Sequence, residues 1–411
     1  MVKRIQFFLC AGLLVTAGCG DRQGDHIPPP AGVVAAAGPV AANITSGCVE
    51  SFDETVDYFP DKVAVEDADN FSVEYHRSYK VVTVHQAYLG GPTERYVLLQ
   101  CGAPKPRFTG ALAAVAVIPV PIVSLFSAST THLPLLVDLD RLDVLTGVSK
   151  FDSIVSSPVV AQIKAGRVVE FAPTGVIDAE RVVSQRPSVL MTGGSDSSTF
   201  TTLRASGIPV VANAEWLEPA GLGRAEWVKY ISLYLNEERK ADGRFGAVKS
   251  AYQSLVKLTS AIAEKDRPLV MAGVAKRGTF FIAGGRSYVA TLVKDAGGRY
   301  VWADNTATGT AMVDLEAQVQ RAANADIWIN GGGWKNLVSM IADEPRYAEF
   351  KAYRQGQVWV YERLVNARGG NDYWSRSVTR PDLLLADLIK ILHPNLVPER
   401  NFEWYIQVPS N

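Results

Sequence analysis

The chain has 411 residues, 47% of them hydrophobic and 20% charged, with 41 Lys and Arg against 42 Asp and Glu. That length calls for two domains or two lobes, and the balance of apolar to charged residues excludes a disordered acidic or basic tail protein. A formal net charge of -1 lacks the electrostatic footprint that binding to a phosphate backbone needs, which speaks against nucleic acid as a partner.

At the N-terminus, Lys3 and Arg4 precede a short apolar run from Ile5 to Ala17, followed by Gly18 and Cys19. Basic residues, an apolar stretch too short for a bilayer and small residues at its end make the layout of a secretory signal peptide over residues 1–18. Ala17 and Gly18 directly before Cys19 resemble a bacterial lipobox, so Cys19 is the expected lipidation site and membrane anchor. Thr16 departs from the usual Leu, and an ordinary cleaved signal is the alternative. Pro28-Pro29-Pro30 within an Ala, Gly and Val mixture predicts an extended tether, the start of an N-terminal extension over 19–72. Of the four cysteines, Cys10 leaves with the signal and Cys19 carries lipid, which leaves Cys48 and Cys101. In an oxidising compartment such a pair predicts a disulfide, with two buried free thiols as the alternative. The expected location is outside the cytoplasm, in a periplasm or on the outer face of the cell membrane.

Along the body, Lys80–Val84 and Arg95–Leu99 are β-rich runs on either side of Gly90-Gly91-Pro92 and predict paired strands. Ala111–Phe126 is apolar but contains Pro119 and Pro121, and reads as a loop leading into a buried strand. Ile122–Phe126, Ser127–Thr131 and the leucine-rich His132–Leu145 then read as strand, polar loop and helix. Pro187–Met191 leads into Thr192-Gly-Gly-Ser-Asp196, and Ile208–Val211 follows a helical stretch. Such alternation predicts a parallel sheet with helices on its faces, an N-lobe over 73–236. A C-lobe over 266–411 repeats the plan, with strand candidates Pro268–Met271, Tyr300–Trp302 and Asp326–Ile329 and helices Ser287–Asp295 and Leu315–Ala323. Between them Phe245, Val248, Tyr252, Leu255, Leu258 and Ile262 step at helical spacing, which predicts one helix from about Glu237 to Glu264 within a connecting segment 237–265. The expected fold is α/β, two lobes with mainly parallel sheets bridged by a single long α-helix. A weak internal echo supports it, because Glu180 and Glu316 each start a helix that leads through a strand to Gly193-Gly194 and Gly331-Gly332 respectively.

Catalytic motifs are missing. The histidines at 26, 76, 85, 132 and 393 form no HExxH pattern, there is no CxxC, and Gly221-Leu-Gly223 does not continue as a dinucleotide fingerprint. No catalytic residue, metal site or cofactor is expected, and a Ser129 and His132 pair reads more simply as a helix start lining a cleft. Aromatic and basic residues instead sit on loops, at Trp216, Arg277, Arg286, Tyr288, Trp334, Arg368, Tyr373 and Trp374. With Ser129, Thr131, His132, Thr192 and Ser195 they make the expected ligand-binding set, in which rings stack and arginine forks take carboxylate or phenolate oxygens of a planar or anionic ligand.

Val176–Gly194 and Gly207–Val211 resemble the N-lobe of periplasmic solute-binding proteins for iron siderophores and cobalamin, which serve ABC importers. Glu215-Trp-Leu-Glu-Pro219, Gly223–Lys229, Ala283–Tyr288 and Asp295–Gly298 are similar to the iron-complex branch, and the likeness spans roughly 120–395. The resemblance implies two lobes that close slightly on a ligand and one exposed glutamate per lobe, here Glu180 and Glu316, docking on permease arginines. It implies a lipid-anchored monomer that captures a ferric siderophore. Cobalamin or haem is the second possibility, disfavoured for cobalamin because Thr192–Asp196 lacks the Trp that its binder places there. A lipid-anchored enzyme on the same scaffold and a direct zinc or manganese binder are further alternatives, the last needing cleft histidines of which only His132 is placed.

Overall fold

The computed structural model describes residues 40–411, so the expected signal peptide, Cys19 and nearly all of the tether lie outside the described residues. The chain first builds a four-stranded sheet. β1 (Phe71–Tyr75), β2 (Tyr79–Val84) and β3 (Glu94–Gln100) are antiparallel neighbours, and β4 (Ala116–Val120) adds in parallel to β3. Part of Ala111–Phe126, expected as loop, is thus a strand. Pro119 is tolerated there because β4 is an edge strand with one neighbour.

Two larger sheets follow. β5 (Leu125–Ser127), β6 (Leu145–Val148), β7 (Val169–Glu170), β8 (Val189–Thr192) and β9 (Val210–Ala212) lie in the order β7-β6-β5-β8-β9, all parallel. Apart from the edge pair Val169–Glu170 of β7, each strand is a short run of apolar or small residues because helices cover both faces. The helix after β5 is shorter than its leucines imply, His132–Asp138, because Asp140 turns left-handed (φ 54°) and Leu142–Leu145 pass through a 3-10 turn into β6.

In the second lobe, β10 (Leu269–Ala272) is followed by a small antiparallel sheet of β11 (Val274–Lys276), β12 (Thr279–Ala283) and β14 (Thr310–Asp314). With β13 (Arg299–Tyr300), β15 (Ile327–Ile329), β16 (Val358–Val360) and β17 (Ile406–Gln407), β10 forms the main sheet in the order β13-β10-β15-β16-β17, parallel except for β17. Both main sheets therefore reverse their winding beside their first strand, β5 or β10. Crevices open at such switch points beyond the carboxyl ends of the strands.

The bridging helix is Glu238–Ser260, 23 residues or about 34 Å. Phe245 and Tyr252 on its expected face are buried, but Leu258 is 47% exposed and Thr259 is buried in its place, donating to the Asp295 carbonyl at 2.6 Å. Preceding it, the helix Gly221–Leu235 is buried almost throughout, charges included. The Glu226 carboxylate accepts backbone N–H groups of Glu66, Asp67 and Ala68 and the Lys229 ammonium, and Glu218 accepts from Asp69, Asn70 and the Trp227 indole. These carboxylates strap the extension to the N-lobe. Lys80 on β2 is wholly buried, donating to Glu238 at 2.6 Å, Asn236 at 2.8 Å and the Leu233 carbonyl at 2.6 Å. Cys48 and Cys101 are joined by a disulfide that ties the extension to the end of β3.

Candidate ligand-binding cleft

Loops from the two switch points face each other across a chamber of about 520 Å3. The N-lobe supplies Ser129–Thr131 after β5 and Glu215 and Trp216 after β9. The C-lobe supplies Gly273 after β10, Asn330 after β15, Tyr361 after β16, and Tyr288 and Trp374 from helix starts. Trp216 is held by its indole N–H donating to the Gly193 carbonyl at 3.1 Å. Gly194 makes room for that ring, since its φ is +68° and a Cβ there would lie 2.6 Å from the indole nitrogen. Trp374 is 49% exposed at the rim, braced edge-on by Tyr361 and Tyr373, which stack on each other at 4.2 Å.

Among the described residues, one ion pair lines this otherwise neutral chamber. Arg224, 6% exposed on the buried helix, donates from Nε to Glu215 Oε2 at 2.8 Å, and its guanidinium lies 4.4 Å from the centre of the Tyr288 ring. Burial is the largest single influence and works against its charge, but the Glu215 carboxylate together with the Tyr288 and Tyr373 rings holds the guanidinium above its ordinary pKa. Among the described residues Nε is the one Arg224 donor that meets a protein acceptor, and neither Nη is among the sealed unpartnered atoms.

The sequence expectations divide. Ser129, Thr131, Trp216, Tyr288 and Trp374 line the chamber together. His132 does not. It is wholly buried, its Nδ1 is 2.9 Å from Ser127 Oγ, Nε2 has no partner among the described residues, and burial pushes the imidazole pKa down to about 3. Thr192 is buried at the end of β8 and Ser195 is exposed away from the chamber. Trp334 belongs to the C-lobe core against Trp328 and Tyr347, its N–H on Asp343, and Tyr373 is a buried brace. Arg277 sits on the tip of the β11–β12 hairpin, and Arg286 is exposed outside the lining. Arg368 instead bridges the lobes, at 2.5 Å from Asp152, next to Asn366, whose amide donates to the Asp152 and Ile154 carbonyls. Ser375 adds a further crossing by donating to the Thr130 carbonyl at 3.1 Å. A second recess of about 940 Å3 between the lobes includes Arg376 and Arg380, each already engaged by carboxylates.

Glu180 and Glu316 are both exposed in the first turns of helices, Ala179–Gln185 and Leu315–Ala322. The local echo is closer than the sequence reading held. Each follows an N-cap aspartate, Asp178 or Asp314, and lies four residues after an exposed apolar side chain, Val176 at 70% or Met312 at 72%. Reasoning from loops missed Glu215, Arg224 and Tyr361. A signal was present, because Gly221–Leu235 is apolar on every side, and charges inside such a helix are buried and paired.

Two parallel-sheet lobes, facing switch points and one helix across the back define the two-lobed class of binding-protein fold. Residues 122–363 match the periplasmic binding protein family, and the chain belongs to that family. It is similar to an uncharacterized lipoprotein of Methanocaldococcus jannaschii, at 26% identity over 59% of this chain and 56% of the relative, so it spans little more than half of that protein's length. A second lipoprotein of that organism is 24% identical over 74% of this chain and 76% of its own. Among solved structures, the molybdate periplasmic binding protein MolA of Haemophilus influenzae has a TM-score of 0.53 at 17% identity, covering 69% of this chain and 90% of its own. A periplasmic haem-binding protein of Pseudomonas aeruginosa has a TM-score of 0.51 at 17% identity, with 66% and 93% covered.

Proposed function

We propose that the protein is a lipid-anchored receptor of an ABC importer that captures a metal chelate, a ferric siderophore in the first instance, in the chamber between its lobes. The observation that carries this reading is the chamber itself, set at the switch points of both sheets and walled by Trp216, Tyr288, Tyr361 and Trp374. Among the described residues no three His, Cys, Asp or Glu side chains gather where they could hold a bare metal ion, which favours a cargo that brings its own metal ligands. The names of the two relatives, both lipoproteins, support the anchor at Cys19. Haem or a corrinoid is the second reading, favoured by the same aromatic walls and by the haem-binding neighbour.

Glu180 and Glu316 are the proposed contacts to the permease, one on each lobe. An exposed carboxylate costs little to keep charged and can accept two parallel hydrogen bonds from a guanidinium, which sets orientation as well as attraction. Titrating the mature protein with ferric chelates, haem and cyanocobalamin while following tryptophan fluorescence tests the reading. It requires saturable one-to-one binding of at least one of them, and turnover of the bound compound, seen as a changed mass, would instead make the protein an enzyme.

A further inference from the structure

The charge of the chamber points to the kind of cargo, on the reading that the chamber is the binding site. Among the described residues that line it, Glu215 and Arg224 alone carry formal charge, and they are paired with each other. The rest is apolar or neutral, including Val274, Phe281, Ile282 and the threonines at 131, 308 and 310. The arginines that the sequence offered as anion ligands, Arg277, Arg286 and Arg368, lie outside the lining. A multiply charged anion entering here would lose its hydration and meet no net positive charge, and an uncompensated buried charge is far more costly than a buried neutral group.

The pair is not inert, however. Glu215 engages one nitrogen of Arg224, and the two Nη groups have no acceptor among the described residues although the side chain is more than nine-tenths buried at the chamber wall. Such donors hold a carbonyl or hydroxamate oxygen well, because the fork is fixed by Glu215 and by the Tyr288 ring. We infer that the cargo carries no net charge and presents an acceptor oxygen to the Nη donors of Arg224, so that neutral chelates rich in amide or hydroxamate oxygens are selected over polyanionic catecholates.

The test uses the mature chain and three probes followed by tryptophan fluorescence: a neutral ferric trihydroxamate, a trianionic ferric tris-catecholate of similar size, and cyanocobalamin. A neutral probe should bind at least about tenfold more tightly than the tris-catecholate, and which neutral probe wins separates hydroxamate from corrinoid cargo. Glu215→Gln leaves Arg224 uncompensated and should move the preference toward the tris-catecholate, more so at low salt. The double variant Glu215→Gln with Arg224→Gln keeps the chamber neutral without the donors and should weaken the neutral probe about tenfold. A tris-catecholate that binds best to the unaltered protein overturns the inference and leaves the receptor reading standing; so does an unchanged preference in a folded Glu215→Gln variant. Should none of the three bind while haem does, the inference falls and the receptor reading stands; should haem fail as well, both fall. The ranking on the unaltered protein needs no variant to fold.

Discussion

Trp374 stands half exposed at the chamber rim, its ring braced by Tyr361 and Tyr373. A ring already held in place loses little freedom when a ligand stacks on it. Trp374→Ala should weaken cargo binding about tenfold or more, near 1.4 kcal/mol, with an unchanged thermal midpoint, because the side chain supports little of the core. His132 gives a different kind of prediction. Its folded pKa is lowered to about 3 from 6.5 by burial, so the unfolded chain binds the extra proton between those values. The stability this residue contributes is complete above pH 6.5 and is lost as the pH falls below that, by about 2 kcal/mol at pH 5. Urea titrations at pH 7 and pH 5 should show His132→Gln, which keeps a partner for Ser127, less acid-sensitive than the unaltered protein; equal sensitivity would contradict the burial account.

Of the expected ligand-binding set, Ser129, Thr131, Trp216, Tyr288 and Trp374 line the chamber, and the first four sit on segments that leave strands directly. Of those that lie outside the lining, Thr192, Ser195, Arg277, Arg286, Trp334 and Arg368 each have a neighbouring glycine, and a glycine shows that the chain turns without showing which way the next side chain points. Gly331 turns Trp334 inward, since a Cβ on Gly331 would lie 2.3 Å from that ring, whereas Gly193-Gly194 holds Trp216 against the chamber.

Among the elements, the strands β2, β3, β5, β8, β9, β10 and β15 and the bridging helix were legible because period and length mark them. The outer strands of the four-stranded sheet, β1 and β4, and the strap before it were not, because what holds them is long-range: buried carboxylates at 218 and 226 reaching back to residues 66–70. Lys80 and Glu238 join β2 to the start of the bridging helix in the same manner. Burial disfavours the Lys80 charge and lowers its pKa. Removing one partner strands the other, so Lys80→Met and Glu238→Gln should each cost about 3–5 kcal/mol, and the double variant less than their sum. Chemical denaturation of all three measures this, and simple additivity would show the pair to be uncoupled. The helix starts at Glu180 and Glu316 belong to this scale too. Reversing both to Arg should abolish uptake in cells while ligand affinity and stability of the isolated protein stay as they were, because like charges would meet across the permease contact. Retained uptake would remove the docking role.

For the molecule as a whole, the extension, N-lobe and bridging helix form one mechanical unit, closed by the disulfide across 53 residues of sequence. A loop of that size adds about 4 kcal/mol in the chain-entropy treatment. Replacing Cys48 and Cys101 by Ser should therefore lower the unfolding free energy by an amount of that order and loosen the strap, with hydrogen exchange rising first over residues 40–70; an unchanged stability would show that the buried carboxylates suffice. Across the front, Asn366, Arg368 and Ser375 meet the N-lobe directly.

The central claim is that the chamber between the lobes binds a metal chelate. Native mass spectrometry of the protein released gently from cells of its own source tests it most directly. One small metal-bearing molecule per chain is the predicted result, absent from the Trp374→Ala protein prepared in the same way. Protein free of any such molecule that also binds no added chelate, or a molecule retained undiminished when Trp374 and Tyr288 are both replaced by Ala, would contradict the account.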